Sequence, residues 1–175
     1  MELGSHESLE IYGRLALIVV DAQGNEVDRR EGANIITTNG YSTFASALVW
    51  SGIQDQAPNI GVATPTYLTP LWGAVGSGTG TVAKTDTQLY AELGREQVQA
   101  GAASPASSSI AALATWLFYF PPPPITWAVT EAGVFANADS GTNDGTLLDH
   151  QLFSPSVVVT NLNALILQAS FSMGP

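Results

Sequence analysis

The stretch IAALATWLFYF, residues 110–120, runs into Pro121–Pro124 and then into ITWAVTEAGVF, residues 125–135. The first run is apolar enough to suit either a buried strand or a buried helix, but Trp, Phe and Tyr beside a proline run favour a strand. The prolines lack backbone donors and make an extended turn. Ile125 to Phe135 then returns as a second strand. Working outward, Ile11 to Val20 is rich in Ile, Leu and Val, residues 21–25 are turn-like, and Glu26 to Arg30 completes a hairpin. Tyr67 to Val75 and Glu96 to Ala100 read as strands. Thr146 to Phe153 and Leu162 to Phe171 close the chain as further strands, with Ser154-Pro155 and Asn161 as breaks. Many short strands between turns predict a mainly β fold, an antiparallel β-sandwich or distorted barrel with one or two short helices.

Two segments change period. Asn39 is placed to cap a helix from about Gly40 to Val49, with Tyr41, Phe44, Ala45 and Leu48 at helical spacing and Gly52 as its stop. Thr85 and Gln88 have capping-box spacing, with Asp86 near the start, which predicts a short helix over 86–93 ended by Gly94. Residues 53–65, the Gly-Thr turn 76–81, the small-residue stretch 101–109 and the polar stretch 137–145 read as loops. At 175 residues the chain is expected to be one β-rich domain, residues 9–175, preceded by a flexible arm, residues 1–8.

Hydrophobic residues make up 45% of the chain and charged residues only 11%, well below the roughly 25% usual for soluble domains. Low charge with high apolar content predicts surface buried in an assembly, hence a homo-oligomer or a particle-bound subunit. The net charge of −10, with Lys84 and four arginines the only fixed cations, opposes a phosphate-binding groove and docking on anionic membranes. Cysteine is absent, so disulfides and thiolate metal sites are excluded. The first residues lack the pattern of a signal peptide, and the apolar run 110–120 falls short of the roughly 18 residues that suggest a membrane span. The expectation is a protein made in the cytosol.

No segment makes a catalytic pattern. Asp149 and His150 are adjacent, so a regular strand points them to opposite faces. They cannot form the Asp–His half of a triad without a bulge, and Ser154 lacks a Gly-x-Ser-x-Gly turn. His150 is therefore expected at the surface or an interface. The Gly76-Ser77-Gly78-Thr79-Gly80 run departs from both dinucleotide and phosphate-loop patterns and reads as a tight turn. Asp139, Asn143 and Asp144 offer oxygens, but their spacing is not that of an EF-hand. Trp50, Trp72, Trp116 and Trp127 lie in apolar segments and are expected in core or interface packing. Glu131 stands out in the apolar run 127–135. If buried it needs a partner, for which Arg95 is the candidate; the alternative is an outward-facing carboxylate.

Gly76–Thr81, then Asp86–Arg95, then Thr130–Phe135, then Gly145–Leu148 leading into Leu152–Pro155 occur in an order that resembles small β-rich structural proteins of tailed bacteriophages, the tail-collar, tail-fibre-associated and minor virion group. The resemblance spans roughly residues 34–172. It implies a non-enzymatic virion component, made in the host cytoplasm, that binds neighbouring virion proteins as a tail or collar adaptor, without cofactor, metal, nucleic acid or membrane. It marks Glu131, Arg95, Asp86, Gly76, Gly78 and Gly133 as structural candidates. The chain lacks the long repeats and heptads of a complete fibre. The alternatives are a capsid decoration protein on the head exterior and a carbohydrate-binding module contacting host glycans.

Overall fold

A computed structural model describes residues 10–54, 71–104, 112–136 and 138–174. The fold is mainly β. Its elements in order are β1 (Glu10–Val20), β2 (Glu26–Ala33), β3 (Ile35–Ile36), α1 (Thr38–Gln54), β4 (Trp72–Gly76), β5 (Glu92–Gln97), β6 (Ala100–Ser104), β7 (Ala112–Phe120), β8 (Trp127–Ala136), β9 (Thr146–Val159) and β10 (Ala164–Gly174). They form two 5-stranded antiparallel sheets, ordered β2-β1-β10-β7-β6 and β3-β9-β8-β4-β5. The sheets pack face to face as a β-sandwich.

Strand alternation supplies the core. Leu15, Leu17, Val19, Phe118, Phe120, Leu165, Leu167 and Phe171 of the first sheet meet Val75, Val129, Val134, Leu148, Val157 and Val159 of the second. Gly73 allows the sheets to approach, since a Cβ there would lie 2.5 Å from Cγ of Phe118. Phe44 of α1 stacks on Phe171 at 5.1 Å between ring centroids and so joins the helix to this core. A second apolar cluster, Ala74, Leu89, Phe135, Ala138 and Leu147, covers the outer face of the second sheet.

The strand pair that flanks the four prolines is present, as is the β1–β2 hairpin, in which the Asp21 carboxylate accepts the amides of Gln23 and Asn25. Four expectations are corrected. The helix begins at Thr38, and its cap is Thr37, whose Oγ1 accepts the Gly40 amide at 2.9 Å; Asn39 lies inside the first turn. Thr37 wins because it is also tied to β9, its hydroxyl donating to the Leu147 carbonyl at 2.6 Å and its amide to that of Leu148. The helix expected over 86–93 does not form. Its amides at Tyr90 and Ala91 are taken by the Glu131 carboxylate, and the chain enters β5 at Glu92. The small-residue stretch begins as strand, not loop, at Ala100–Ser104. β9 runs through Ser154 and the cis Pro155, because its ladder with β8 lapses after Leu152 and resumes at Val157. The arm 1–8, most of the loop 53–65, residues 67–70 of an expected strand, residues 105–109 and the Trp50 side chain lie outside what is described.

Candidate functional site

β4, β8 and β9 lie side by side, and their register builds the site. Gly76 pairs with Glu131, and Gly133 pairs with His150. Between the pairs Gly133↔His150 and Phe135↔Leu147, β8 supplies only Val134 while β9 supplies both Leu148 and Asp149. This β-bulge resets the alternation. It puts His150 on the outer face of the sheet with Leu147, diagonal to Glu131, and leaves Asp149 on the other face beside Val134.

Glu131 is fully buried, which overturns the outward-facing alternative. Its Oε1 accepts the amides of Gly78 at 2.9 Å and Ala91 at 2.7 Å. Its Oε2 accepts the Tyr90 amide at 2.9 Å and pairs with Nε2 of His150 at 3.0 Å. The other imidazole nitrogen, Nδ1, lies 2.8 Å from Oδ2 of Asp86. His150 is thus buried between two carboxylates, not at the surface. Its ring is covered by Tyr90 at 4.9 Å, whose hydroxyl donates to the Thr81 carbonyl and to Asp86.

With a carboxylate on each nitrogen, the imidazole is held as a cation donating both protons. Burial pushes the His150 pKa down, but Glu131 and Asp86 outweigh it and raise it above the ordinary 6.5. Burial likewise pushes both carboxyls up. For Glu131 the bonds from His150 and from the amides of Tyr90, Ala91 and Gly78 prevail, and for Asp86 those from Ala83, His150 and Tyr90, so both titrate below their ordinary range. The cluster is a lock: four segments distant in sequence are fastened to one carboxylate and one imidazolium.

The glycines follow from this geometry. A Cβ on either Gly76 or Gly78 would stand 2.4 Å from Oε1 of Glu131, and one on Gly133 would stand 2.6 Å from the Asp149 carbonyl. Gly78→Ala is therefore expected to destabilise the fold by about 1–3 kcal/mol, through displacement of the carboxylate from its three amides. Chemical denaturation checks this; a change within 0.5 kcal/mol, the usual range of surface substitutions, would mean the loop re-forms without the Glu131 contact.

Arg95 is the sequence candidate that the fold places elsewhere. It is buried, but its bidentate partner is Glu92, with Nε to Oε1 at 2.7 Å and Nη2 to Oε2 at 2.9 Å, and not Glu131. Its Nη1 donates to the carbonyls of Asp139 and Asp144, and its guanidinium lies 4.7 Å over the Phe135 ring. Glu92 accepts the Asn143 amide, so this pair fastens the 138–145 loop to β5. The oxygens of that loop point inward on amides: Asp139 accepts Gly141, Asp144 accepts Asp139, and Asn143 accepts Leu89.

Sequence reasoning passed over Asp149 as a buried group. Its Oδ1 accepts the Val134 amide at 2.7 Å, filling the ladder position opened by the bulge, and its Oδ2 lies 2.5 Å from the Asn34 amide nitrogen. Full burial raises its pKa from 3.8 to about 7, despite the bond from Val134, the nearby His150 charge and the bond from Asn34. The signal was present: three consecutive polar residues, Asp149, His150 and Gln151, interrupt the apolar run from Leu147 to Phe153, and buried polar groups need partners.

Comparison with protein-family models, curated proteins and solved structures finds no significant match to any of them.

Proposed function

We propose that the protein is a non-enzymatic structural component of a tailed-bacteriophage virion, a tail- or collar-associated adaptor subunit that binds neighbouring virion proteins. One observation carries this reading. Three of the segments that resemble such proteins, residues 76–81, 86–95 and 130–135, converge on a single lock, where they meet His150 of β9. Gly76, Gly78, Asp86, Tyr90, Glu131, Gly133 and His150 all serve to hold a loop against a sheet. Groups of that chemistry in an enzyme face a substrate; here the imidazole and the Glu131 carboxylate are fully buried and saturated with protein partners. A rigid sandwich whose polar interior is devoted to shape suits a subunit that works by binding.

The charge pattern supports the same reading. Arg14, Arg29 and Arg30 are paired with Glu31, Glu26 and Asp28, which leaves no free cationic groove for nucleic acid among the described residues. No described helix is long and apolar enough to cross a membrane. Placement on the head as a decoration protein is the second reading. The carbohydrate-binding reading is disfavoured by the tryptophans, since Trp72, Trp116 and Trp127 are half-buried against the two apolar clusters.

The test is the particle itself. Immunogold labelling of purified virions is expected to mark the tail or collar; labelling of the head would move the protein to the decoration class, and absence from purified particles would end the virion reading. Glycan-array binding by the isolated protein would favour the carbohydrate module. The residues 1–8 are expected to contribute to docking on a neighbouring subunit. Their deletion should leave the melting temperature nearly unchanged and weaken incorporation into particles; normal incorporation would place the attachment on the sandwich alone.

A further inference from the structure

The loop 77–91 between β4 and β5 is fastened by two kinds of bond. Its base is closed by the Ser77 amide, which donates to the Ala91 carbonyl at 2.8 Å. That base is pinned to β8 by the amides of Gly78, Tyr90 and Ala91 on the Glu131 carboxylate, and by the Thr130 hydroxyl, which donates to the Gly78 carbonyl. Leu89 is sealed in the outer apolar cluster. The middle of the loop, residues 81–88, is folded on itself by the Ala83 amide on the Asp86 carboxylate and the Asp86 amide on the Ala83 carbonyl. Among the described residues, two hydrogen bonds tie this middle to other elements. Oδ2 of Asp86 meets Nδ1 of His150 at 2.8 Å, and the Lys84 carbonyl accepts the amide of Thr38, the first residue of α1, at 2.7 Å. The Lys84 ammonium also lies 5.5 Å from the centre of the Tyr41 ring.

The imidazole holds the middle of the loop in one protonation state only. Charged, it donates to Asp86 through Nδ1 and to Glu131 through Nε2. Neutral, it keeps one proton and turns a lone pair toward one of the carboxylates. Glu131 is fully buried and has no water to turn to, so the remaining proton stays on Nε2. Asp86, 13% exposed and carried on a loop, is the partner that is repelled. The other titratable groups around the ring are Tyr90, which covers it, and Asp149, on the opposite face of the sheet. β3, β4 and α1 contain no charged side chain, so none of them supplies a cation in place of the lost one.

We propose that Asp86 and His150 form a pH-operated latch: on loss of the imidazole proton, residues 81–88 swing away from the sheet, while the base of the loop stays on Glu131 and the sandwich stays folded. Burial lowers the His150 pKa, but Glu131 and Asp86 outweigh it and hold it above 6.5 in the closed state. The share that comes from Asp86 is lost on opening. Closing therefore takes up a proton, and rising pH favours the open loop. The latch is a property of the isolated chain and does not depend on the virion reading.

Lys84 is the single lysine of the chain, so a lysine-specific endoprotease cuts only after it. The carbonyl of the bond to be cut is the one that holds the Thr38 amide, so the closed loop is protected and the cutting rate follows the open population. The rate on the full chain is measured from pH 6 to 9 and divided, at each pH, by the rate on a free peptide of residues 80–89. This ratio is expected to rise on the order of tenfold. At pH 9 it should barely respond to urea up to about 1 M, because a local opening exposes little surface. Asp86→Asn should be cut faster than the parent at pH 6 and lose most of the rise, since an amide there carries no charge for a neutral ring to repel. Asp149→Asn, which removes the other buried group that titrates in this range, should keep the rise in full. A ratio that is flat with pH in the parent overturns the latch. So does a rise that Asp86→Asn keeps in full, or one that Asp149→Asn abolishes. A steep response to urea would show that the whole domain opens, and would overturn it equally.

Discussion

Glu131→Ala is expected to lower the melting temperature by roughly 10 °C, whereas Glu26→Ala should move it by no more than about 2 °C. Alanine at 131 removes a fully buried carboxylate that accepts three amides and pairs with His150. The amides of Gly78, Tyr90 and Ala91 are then left without their acceptor. His150 is left with Asp86 alone, a buried cation half compensated. Breaking one side of a buried, hydrogen-bonded pair costs about 3–5 kcal/mol, mostly because the other side remains desolvated. Glu26, by contrast, is an exposed carboxylate whose pair with Arg29 at 3.6 Å is surrounded by water, and such pairs contribute about 0–1 kcal/mol. Thermal unfolding of the two variants side by side checks the claim. The loss should appear as increased hydrogen exchange in the loop 77–91 before global unfolding, since that loop is what Glu131 fastens. Equal, small shifts for both variants would refute the lock.

Stability is expected to peak in mildly acidic solution and to fall as the pH rises through neutrality. The two groups responsible are neighbours in sequence. Asp149 has a pKa raised from 3.8 to about 7 in the folded state, so its contribution is fully present below 3.8 and is lost as the pH climbs to about 7. At about 1.4 kcal/mol per pH unit, that loss is on the order of 4 kcal/mol. His150, also raised, stabilises fully below 6.5 and loses its contribution above that value, as the neutral ring turns a lone pair toward a carboxylate. Glu131 and Asp86 act in the opposite sense: held low, they stabilise above 4.5 and 3.8 and lose this as the pH falls through their folded values. The maximum therefore lies near pH 4.5. Urea denaturation at pH 4.5, 6 and 8 measures the profile. Asp149→Asn should remove most of the slope between pH 4 and 7 and leave the variant more stable than the parent at pH 8. Asparagine keeps the acceptor for Val134, and with the Asn34 amide turned over its new amide nitrogen donates to Asn34 Oδ1, a buried atom that has no partner in the parent. A parent whose stability is flat from pH 4.5 to 8 would show that Asp149 is ionised at no cost.

The sequence by itself determined that the chain is mainly β, where most of its strands lie, and that Glu131, if buried, needs a partner. These follow from local rules: aromatic and β-branched runs favour strands, prolines and polar clusters end them, and a carboxylate in an apolar run needs a partner. The partner itself was not legible. Arg95 suited Glu131 by chemistry, whereas His150 was expected at the surface or an interface. The choice fell to the bulge between the pairs Val134↔Asp149 and Phe135↔Leu147, which turns His150 onto the face of Glu131, and to Glu92, which holds Arg95 three residues away. The same long-range bonds cancelled the helix expected over 86–93, since a carboxylate forty residues on took two of its amides. A bulge changes the face of every residue beyond it and leaves no mark in local composition. Strand positions were therefore set by sequence, while the register between strands, and with it the identity of the buried lock, was decided only by the tertiary fold.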